Sequence, residues 1–401
     1  MRFAWTMMVA LTAFLVSPTA MGIAAAQNSA QNSAEATQTP QEASFERGVA
    51  AFDRKDFATA RKEYLSSCDG NYVDACYNLG YMNHYGMGSA VNYAEASRLY
   101  TLGCDRDEAQ SCNNLGALYE AGDGVKKDAA RADILYRKAC SLSDGLGCSN
   151  AADMLVDAIK DKTSKTDPTR VKATALFKEG CDKASPTACL RYGYALHNGL
   201  GVTQDRNRSR HFYFIACEED RGAACFNLGD IYENGVMVRV DLARAARYYD
   251  KSCTFGDMEG CAIVGNFYAQ GKGVEKNGLI AASRLDKACD ADQAIGCFDL
   301  ADLYLQGDLV QEDMARAMKF FQKSCDLKDG DGCLGTALVS LAVEKSRPVE
   351  KAKALLARAR SLDANADSMK KVEALITAFE KDGAQALHGS SMTERVFFPA
   401  N

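Results

Sequence analysis

The residues of this 401-residue chain best placed to do chemistry are its sixteen cysteines. They fall into pairs of one spacing: Cys68 and Cys76, Cys104 and Cys112, Cys140 and Cys148, Cys181 and Cys189, Cys217 and Cys225, Cys253 and Cys261, Cys289 and Cys297, Cys325 and Cys333. Three chemistries use paired cysteines. Structural zinc favours closer pairs, often with histidine. Here seven residues separate the partners, and His84, His197, His211 and His388 follow no ligand pattern. A thioredoxin-like redox centre needs C-x-x-C, which is absent. The third chemistry is the structural disulfide of an oxidising compartment.

Positioning such pairs requires regular elements, and the chain repeats them. Successive pairs stand 36 residues apart, with one interval of 41 between Cys140 and Cys181. Four residues before each first cysteine stands an aromatic or leucine: Tyr64, Tyr100, Tyr136, Phe177, Tyr213, Tyr249, Leu285 and Phe321. Four earlier stands Ala or Ser, as at Ala60, Ala132 and Ser209. Steps of four hold side chains on one helix face. The helix often ends in lysine (Lys138, Lys251, Lys287, Lys323), where a cation suits the C-terminal dipole. After the second cysteine come Leu79, Leu115, Leu228 and Leu300, then Gly80, Gly116, Gly193, Gly229 and Gly265, then Tyr119, Tyr232, Tyr268 and Tyr304. Glycine within a helix costs about 1 kcal/mol against alanine, so its recurrence points to close helix approach. Loops such as "GDGV" (122–125), "GLGV" (199–202) and "GKGV" (271–274) follow. A helix, a glycine loop and a second helix make an antiparallel hairpin, and stacked hairpins make an all-α solenoid.

In that arrangement the first cysteine of each pair ends one helix and the second lies early in the next, so a bond between them is geometrically reasonable. A rival scheme would join Cys112 to Cys140 across one hairpin. It leaves Cys68 and Cys333 alone, because Pro40 and Ser361 stand where their partners would be. Pairing neighbours uses all sixteen cysteines. The residue before each second cysteine is always small (Ala75, Ser111, Gly147, Ala188, Ala224, Gly260, Gly296, Gly332), which fits a crowded junction. Each short bridge adds roughly 2–3 kcal/mol in the chain-entropy description.

The stretch "CNNLGALYEAGDGVKKDAARADILYRKAC" (112–140) resembles the sel-one-like repeats, relatives of the tetratricopeptide repeat. The fixed cysteine pairs resemble the cysteine-rich Hcp-type subgroup. The likeness covers residues 43–362 and departs in two units. Residues 148–180 carry "DKTSKTDPTR" in place of the glycine loop, and 333–362 have neither a glycine loop nor a terminal cysteine. Stacked hairpins present a concave surface lined by the first helix of each unit. In tetratricopeptide repeats, the positions matching those two, five and nine residues after this chain's second cysteines contact peptides. The resemblance therefore implies a binding row of Asn78, Asn114, Asn150, Arg191, Asn227 and Asp299, and a second row of Tyr81, Asp230, Asn266 and Asp302. A third row runs Tyr85, Ala121, Asp157, Asn198, Asn234, Gln270 and Gln306. Carboxamides both donate and accept hydrogen bonds along an extended peptide, and the acids favour a neutral or basic partner. The alternative reading is a solvated face of ordinary polar residues.

Catalytic motifs are sparse. The G-x-G loops lack GK[ST] and join helices, so they read as turns and not as phosphate cradles. H-E-x-x-H and G-x-S-x-G are absent. The Hcp-type resemblance implies a second function class, a weak β-lactam-binding or β-lactam-hydrolysing enzyme, or one acting on cell-wall peptides. Ser368-Met369-Lys370-Lys371 matches S-x-x-K, but such enzymes also need S-D-N and K-T-G elements. Only "SDG" at 143–145 comes near. No catalytic residue, metal or cofactor is assigned.

The chain is 47% hydrophobic and 25% charged, ordinary globular material. Arg2, an apolar run from Phe3 to Val16 and Ala24-Ala25-Ala26 read as a secretory signal over 1–26. Its cleavage removes one positive charge, taking the net charge from −6 to −7. A mildly acidic chain has no footprint for nucleic acid, and none of the mature chain reads as a membrane span. Residues 27–42 read as a disordered linker, 363–381 as a capping helix, and 382–401 as a disordered tail in which Val396, Phe397 and Phe398 form a candidate docking segment. The sequence thus describes a secreted or periplasmic, disulfide-stapled solenoid for a protein or extended peptide. Thiol titration of the denatured, unreduced mature protein should find no free thiol; several thiols per chain would refute the pairing.

Overall fold

The computed structural model describes residues 38–343 and 348–383. The signal segment, most of the linker and the tail with its Val396–Phe398 segment lie outside the described residues. Among the described residues the chain is all-helical. Its hairpins are α1 (Pro40–Asp53) with α2 (Phe57–Asp69), α3 (Val73–Tyr85) with α4 (Tyr93–Cys104), and α5 (Ala109–Ala121) with α6 (Ala129–Ser141). Next come α7 (Gly145–Ala158) with α8 (Pro168–Asp182), α9 (Pro186–Asn198) with α10 (Arg206–Glu218), and α11 (Gly222–Asn234) with α12 (Leu242–Thr254). Then follow α13 (Met258–Gln270) with α14 (Gly278–Asp290), α15 (Ala294–Gln306) with α16 (Met314–Asp326), α17 (Gly330–Val343) with α18 (Pro348–Ser361), and the single helix α19 (Ala366–Asp382).

Local chemistry sets the boundaries. From α2 to α16, each second helix starts at an Asx cap: Asp56, Asn92, Asp128, Asp167, Asp205, Asp241, Asn277 or Asp313. Its side chain accepts a hydrogen bond from a backbone N–H of the first turn, which would otherwise lack a partner. Most first helices end at a glycine in the left-handed region, such as Gly122 (φ 90°) or Gly271 (φ 74°), where a Cβ would clash. The helix α1 begins at Pro40, inside the stretch read as linker, because Thr39 and Glu42 form a reciprocal capping box. In the 41-residue unit the extra length is shared between helices and loop. The helix α7 runs 14 residues and α8 runs 15. The buried Arg170 holds the longer loop by donating from Nε to the Ser164 carbonyl (2.8 Å) and from Nη2 to the Lys162 carbonyl (3.0 Å).

Five hairpins close by seating a tyrosine on a glycine, at Gly48, Gly80, Gly116, Gly193 and Gly229. A Cβ on Gly116 would lie 2.8 Å from the Tyr136 ring, and one on Gly229 2.7 Å from the Tyr249 ring. At Gly265 the partner is Leu285. These tyrosines are buried, and Tyr136 and Tyr249 donate from their hydroxyls to Glu120 (2.6 Å) and Glu233 (2.7 Å). The close approach expected of the helix glycines is therefore a ring against bare backbone.

Hairpins join through the cysteines. All eight disulfides link neighbours in sequence, with Cα–Cα distances of 4.4–4.8 Å. The rival pairing across a hairpin does not occur. The junction is as crowded as the small residues imply: a Cβ on Gly260 would sit 2.5 Å from the Ser252 Oγ, and one on Gly296 2.6 Å from the Ala288 Cβ. Three residues past each first cysteine the backbone turns left-handed, at Asn71, Asp107, Ser143, Ala184, Asp220, Gly256, Asp292 and Lys328.

Successive first helices touch one another, as α5 does α7, α7 does α9 and α13 does α15, more closely than successive second helices do. The stack therefore curves with its first helices on the inside. At its C-terminal end α19 packs on α17 and α18, and α17 is buried without a break from Gly332 to Leu341.

Two substitutions test this packing. Gly229→Leu, which drives a side chain into Tyr249, should cost roughly 1–3 kcal/mol and lower the melting temperature by circular dichroism. Ala184→Gly removes a Cβ from a left-handed turn and should raise stability by roughly 0.5–1 kcal/mol.

Candidate binding surface

The rows expected to bind a partner lie on the first helices, hence on the inner curve. Asn78, Asn114, Asn150, Arg191, Asn227 and Asp299 are all half-buried. Tyr81, Asp230 and Asn266 are also half-buried, whereas Asp302 is only 6% exposed.

Several of these side chains are engaged with neighbouring units. Asn150 donates to Asn113 Oδ1 across α5 and α7 (2.8 Å). Arg191 lies 3.4 Å from Asp153, joining α7 to α9. Asn266 donates to Asp299 Oδ2 across α13 and α15 (2.6 Å). Asn234 donates to Asp230 within α11 (2.8 Å). The inner surface is thus partly cross-linked by the polar groups it would present to a ligand.

Its character changes along the stack. At the N-terminal end Tyr77, Tyr81 and Tyr85 form a run of rings, with centroids 6.4 Å and then 4.5 Å apart. Tyr85 remains 40% exposed, and Tyr194, midway along, 52%. Rings with one polar tip suit a surface that meets both apolar and polar groups. At the C-terminal end the surface is acidic. Asp299, Asp329 and Asp331 line a cleft of about 440 Å³ with Ile295, Phe298 and Lys328. Burial pushes the Asp299 carboxyl up to about 7, although the Asn266 hydrogen bond works against it. Burial, reinforced by the Asp299 charge, takes Asp302 to about 7 as well. Gln306 donates to Oδ2 of Asp302, while Oδ1 has no hydrogen-bond partner. Midway, burial raises Asp153 to about 6 even with Arg191 beside it. Losing hydration without full compensation disfavours the ionised form.

The repeated lysines do something the sequence reading missed. Lys138, Lys287 and Lys323 do not merely sit at their own helix ends. Each Nζ donates to the carbonyl of the preceding unit's first cysteine, at Cys104, Cys253 and Cys289, with distances of 2.6 Å. Lys183 reaches Cys140 in the same way, and Arg358 reaches Cys325. Lys251 instead pairs with Glu218. The spacing of lysine to the next unit's cysteine was visible, but the carbonyl it meets belongs to a different helix. The Asx caps, at a fixed distance before the first cysteine in all but one unit, were equally legible and went unread.

The sulfurs and Ser368 offer little chemistry. Cys140 and Cys148 lie near Glu179 in a metal-like cluster, but both sulfurs are in the disulfide and are not thiolates, the form that binds metal. Ser368 is buried in the first turn of α19, where its N–H donates to Asn365 Oδ1. Among the described residues no helix is long and apolar enough to cross a membrane.

No curated protein sequence matches the chain. Among solved structures it is similar in fold to c5321, a protective antigen of uropathogenic Escherichia coli displaying an SLR fold (21% identity, 86% of this chain and 73% of that one, TM-score 0.65). It is also similar to a Sel1 repeat protein from Oxalobacter formigenes (24% identity, 61% and 96%, TM-score 0.52). Cysteine-rich protein B of Helicobacter pylori is 33% identical over 31% of this chain and 90% of its own, with a TM-score of 0.27. The Sel1 repeat matches six times, at residues 73–108, 109–144, 186–220, 222–257, 259–292 and 294–329, together more than half of the sequence. With paired helices, a fixed period and these six matches, the chain belongs to the Sel1 repeat family.

Proposed function

We propose that the protein is an exported, non-catalytic scaffold that holds a protein or extended peptide, neutral or basic, against the inner curve of its stack. The observation that carries this reading is the row of half-buried carboxamides and exposed tyrosines on successive first helices, Asn78, Asn114, Asn227, Tyr85 and Tyr194 among them. Such groups are spaced by one helix-to-helix step, which suits a ligand with a regular backbone. Sel1 repeats form a protein-interaction fold. Eight disulfides are the chemistry of an oxidising, extracytoplasmic compartment, which agrees with a secretory leader and a secreted or periplasmic protein. The acidic cleft around Asp299 and Asp331 is the natural seat for a basic group of the ligand. The burial of Ser368 argues against a serine nucleophile there.

Crosslinking pull-downs with the mature protein should lose their partners when Asn78, Asn114 and Asn227 are all changed to Ala. An unchanged partner set would discredit the assignment of the inner face.

The buried Asp302 sets a second test. Its folded pKa is raised to about 7 from 3.8. A raised pKa contributes full stability only below the unfolded value, and that stability is lost as pH rises through the folded one. Folding should therefore weaken from about pH 4 to about pH 7. Asp302→Asn, which cannot ionise, should melt higher than the natural protein at pH 8, with the difference closing toward pH 4. A constant difference across that range would contradict the assignment.

A further inference from the structure

One hairpin loop keeps the left-handed backbone of the glycine loops without their second glycine. After the glycine that ends the first helix, the loops at 86–88, 122–124, 199–201 and 271–273 place a second glycine two residues on, with φ between 65° and 72°. The loop between α11 and α12 reads Gly235-Val236-Met237-Val238-Arg239-Val240. Met237 takes the second glycine's place and keeps its left-handed backbone, φ 59°. That conformation strains any residue with a Cβ, and such strain concentrates at functional positions. The side chain gains no burial in exchange, for Met237 is 60% exposed and Val240 59%.

The same loop borders a basic cleft. Arg210 from α10, Arg244 from α12, Tyr232 from α11, and Val238, Arg239 and Val240 from the loop line one depression. A second depression, also lined by Arg244, continues past Phe214, Arg247 and Tyr248. Arg244 lies over the Tyr232 ring, 4.8 Å from its centroid, and Tyr232 stacks on Tyr248. The nearby acids are engaged. Asp241 caps α12 and pairs with Arg244, Glu218 pairs with Lys251, and Asp250 pairs with Arg284. Arg210, Arg239 and Arg247 have no carboxylate within ion-pair distance among the described residues. A chain of net charge −6 thus concentrates unneutralised arginines beside exposed apolar groups at one place.

The geometry points to a second docking surface, distinct from the inner face, for an acidic segment of a partner protein that carries aliphatic or aromatic side chains among its carboxylates. The arginines supply planar, charge-assisted hydrogen bonds to carboxylates. The depression between Tyr232, Val238 and Val240 receives the apolar side chain, and the exposed Met237, next to Val238 on the same loop, offers an adaptable surface at its edge. The inner face favours a neutral or basic ligand, so the two surfaces would not compete for the same segment.

The test uses the full mature chain and short fluorescent peptides in which Glu or Asp alternate with Leu and Phe. Control peptides carry Gln and Asn in place of the acids, and phosphatidylglycerol vesicles probe a membrane source of negative charge. The acidic peptides should bind, and bind less tightly as salt is raised. Arg210→Glu combined with Arg239→Glu should weaken that binding roughly tenfold or more. Met237→Gly restores the residue of the four glycine loops, so it should fold at least as well and still bind less tightly. The triple Asn→Ala change on the inner face should leave this binding intact. Equal binding of acidic and amide peptides, no effect of the arginine reversals, or tighter binding to vesicles than to peptides would overturn the proposal.

Discussion

Everything in this protein depends on how tightly the chain turns from one hairpin into the next. At each junction a second helix ends and a first helix begins within a few residues, and the packing distance there admits no residue larger than serine before the second cysteine. The disulfide is the consequence of that closeness. With Cα atoms held at 4.4–4.8 Å by the turn, the two sulfurs meet without the backbone having to move. In an ordinary solenoid, neighbouring units are coupled only by their packed surfaces. Here each interface also carries a covalent bond, and a lysine from the following unit often ties down the carbonyl of the same cysteine.

That coupling explains why the inner face can be polar. A first helix contributes its leucines, glycine and tyrosine to the core, so its remaining side chains are not needed to hold the hairpin together. They are free to serve as hydrogen-bonding groups, and several of them bridge to the next unit, as Asn266 does to Asp299. Such bridges orient the donors and acceptors that a ligand would meet. A surface organised in this way loses less entropy on binding than one made of independently rotating side chains.

Much of this was legible in the amino-acid order. The cysteine spacing, the helix glycines and the glycine loops announced a stacked all-α hairpin architecture, and the pairing of neighbours followed from counting. The Tyr136–Gly116 and Tyr249–Gly229 contacts are what the two periodicities imply when their helices fold together. Reading lysine at positions such as Lys138 as a response to its own helix dipole was incomplete. The group it satisfies lies in the previous unit, and its identity depends on the distance between units. Asp302 looked like the other members of its row, yet it is buried near the end of the stack, where the all-round apolar α17 packs on α15.

By itself, then, the sequence determined the features that act within one unit or across one turn: helix period, caps, loop glycines and the choice of disulfide partner. These depend on residues close in the chain, whose relative placement is set by backbone geometry alone. Tertiary structure decided which polar groups are open, which are cross-linked and which are buried with a raised pKa. That depends on how far adjacent units tilt and on what covers the last of them, and neither is encoded in the spacing of a single repeat. The same logic singles out the loop at Met237. Its residues depart from the pattern in the sequence, but only the folded chain brings Arg210 and Arg244 to the depression beside them.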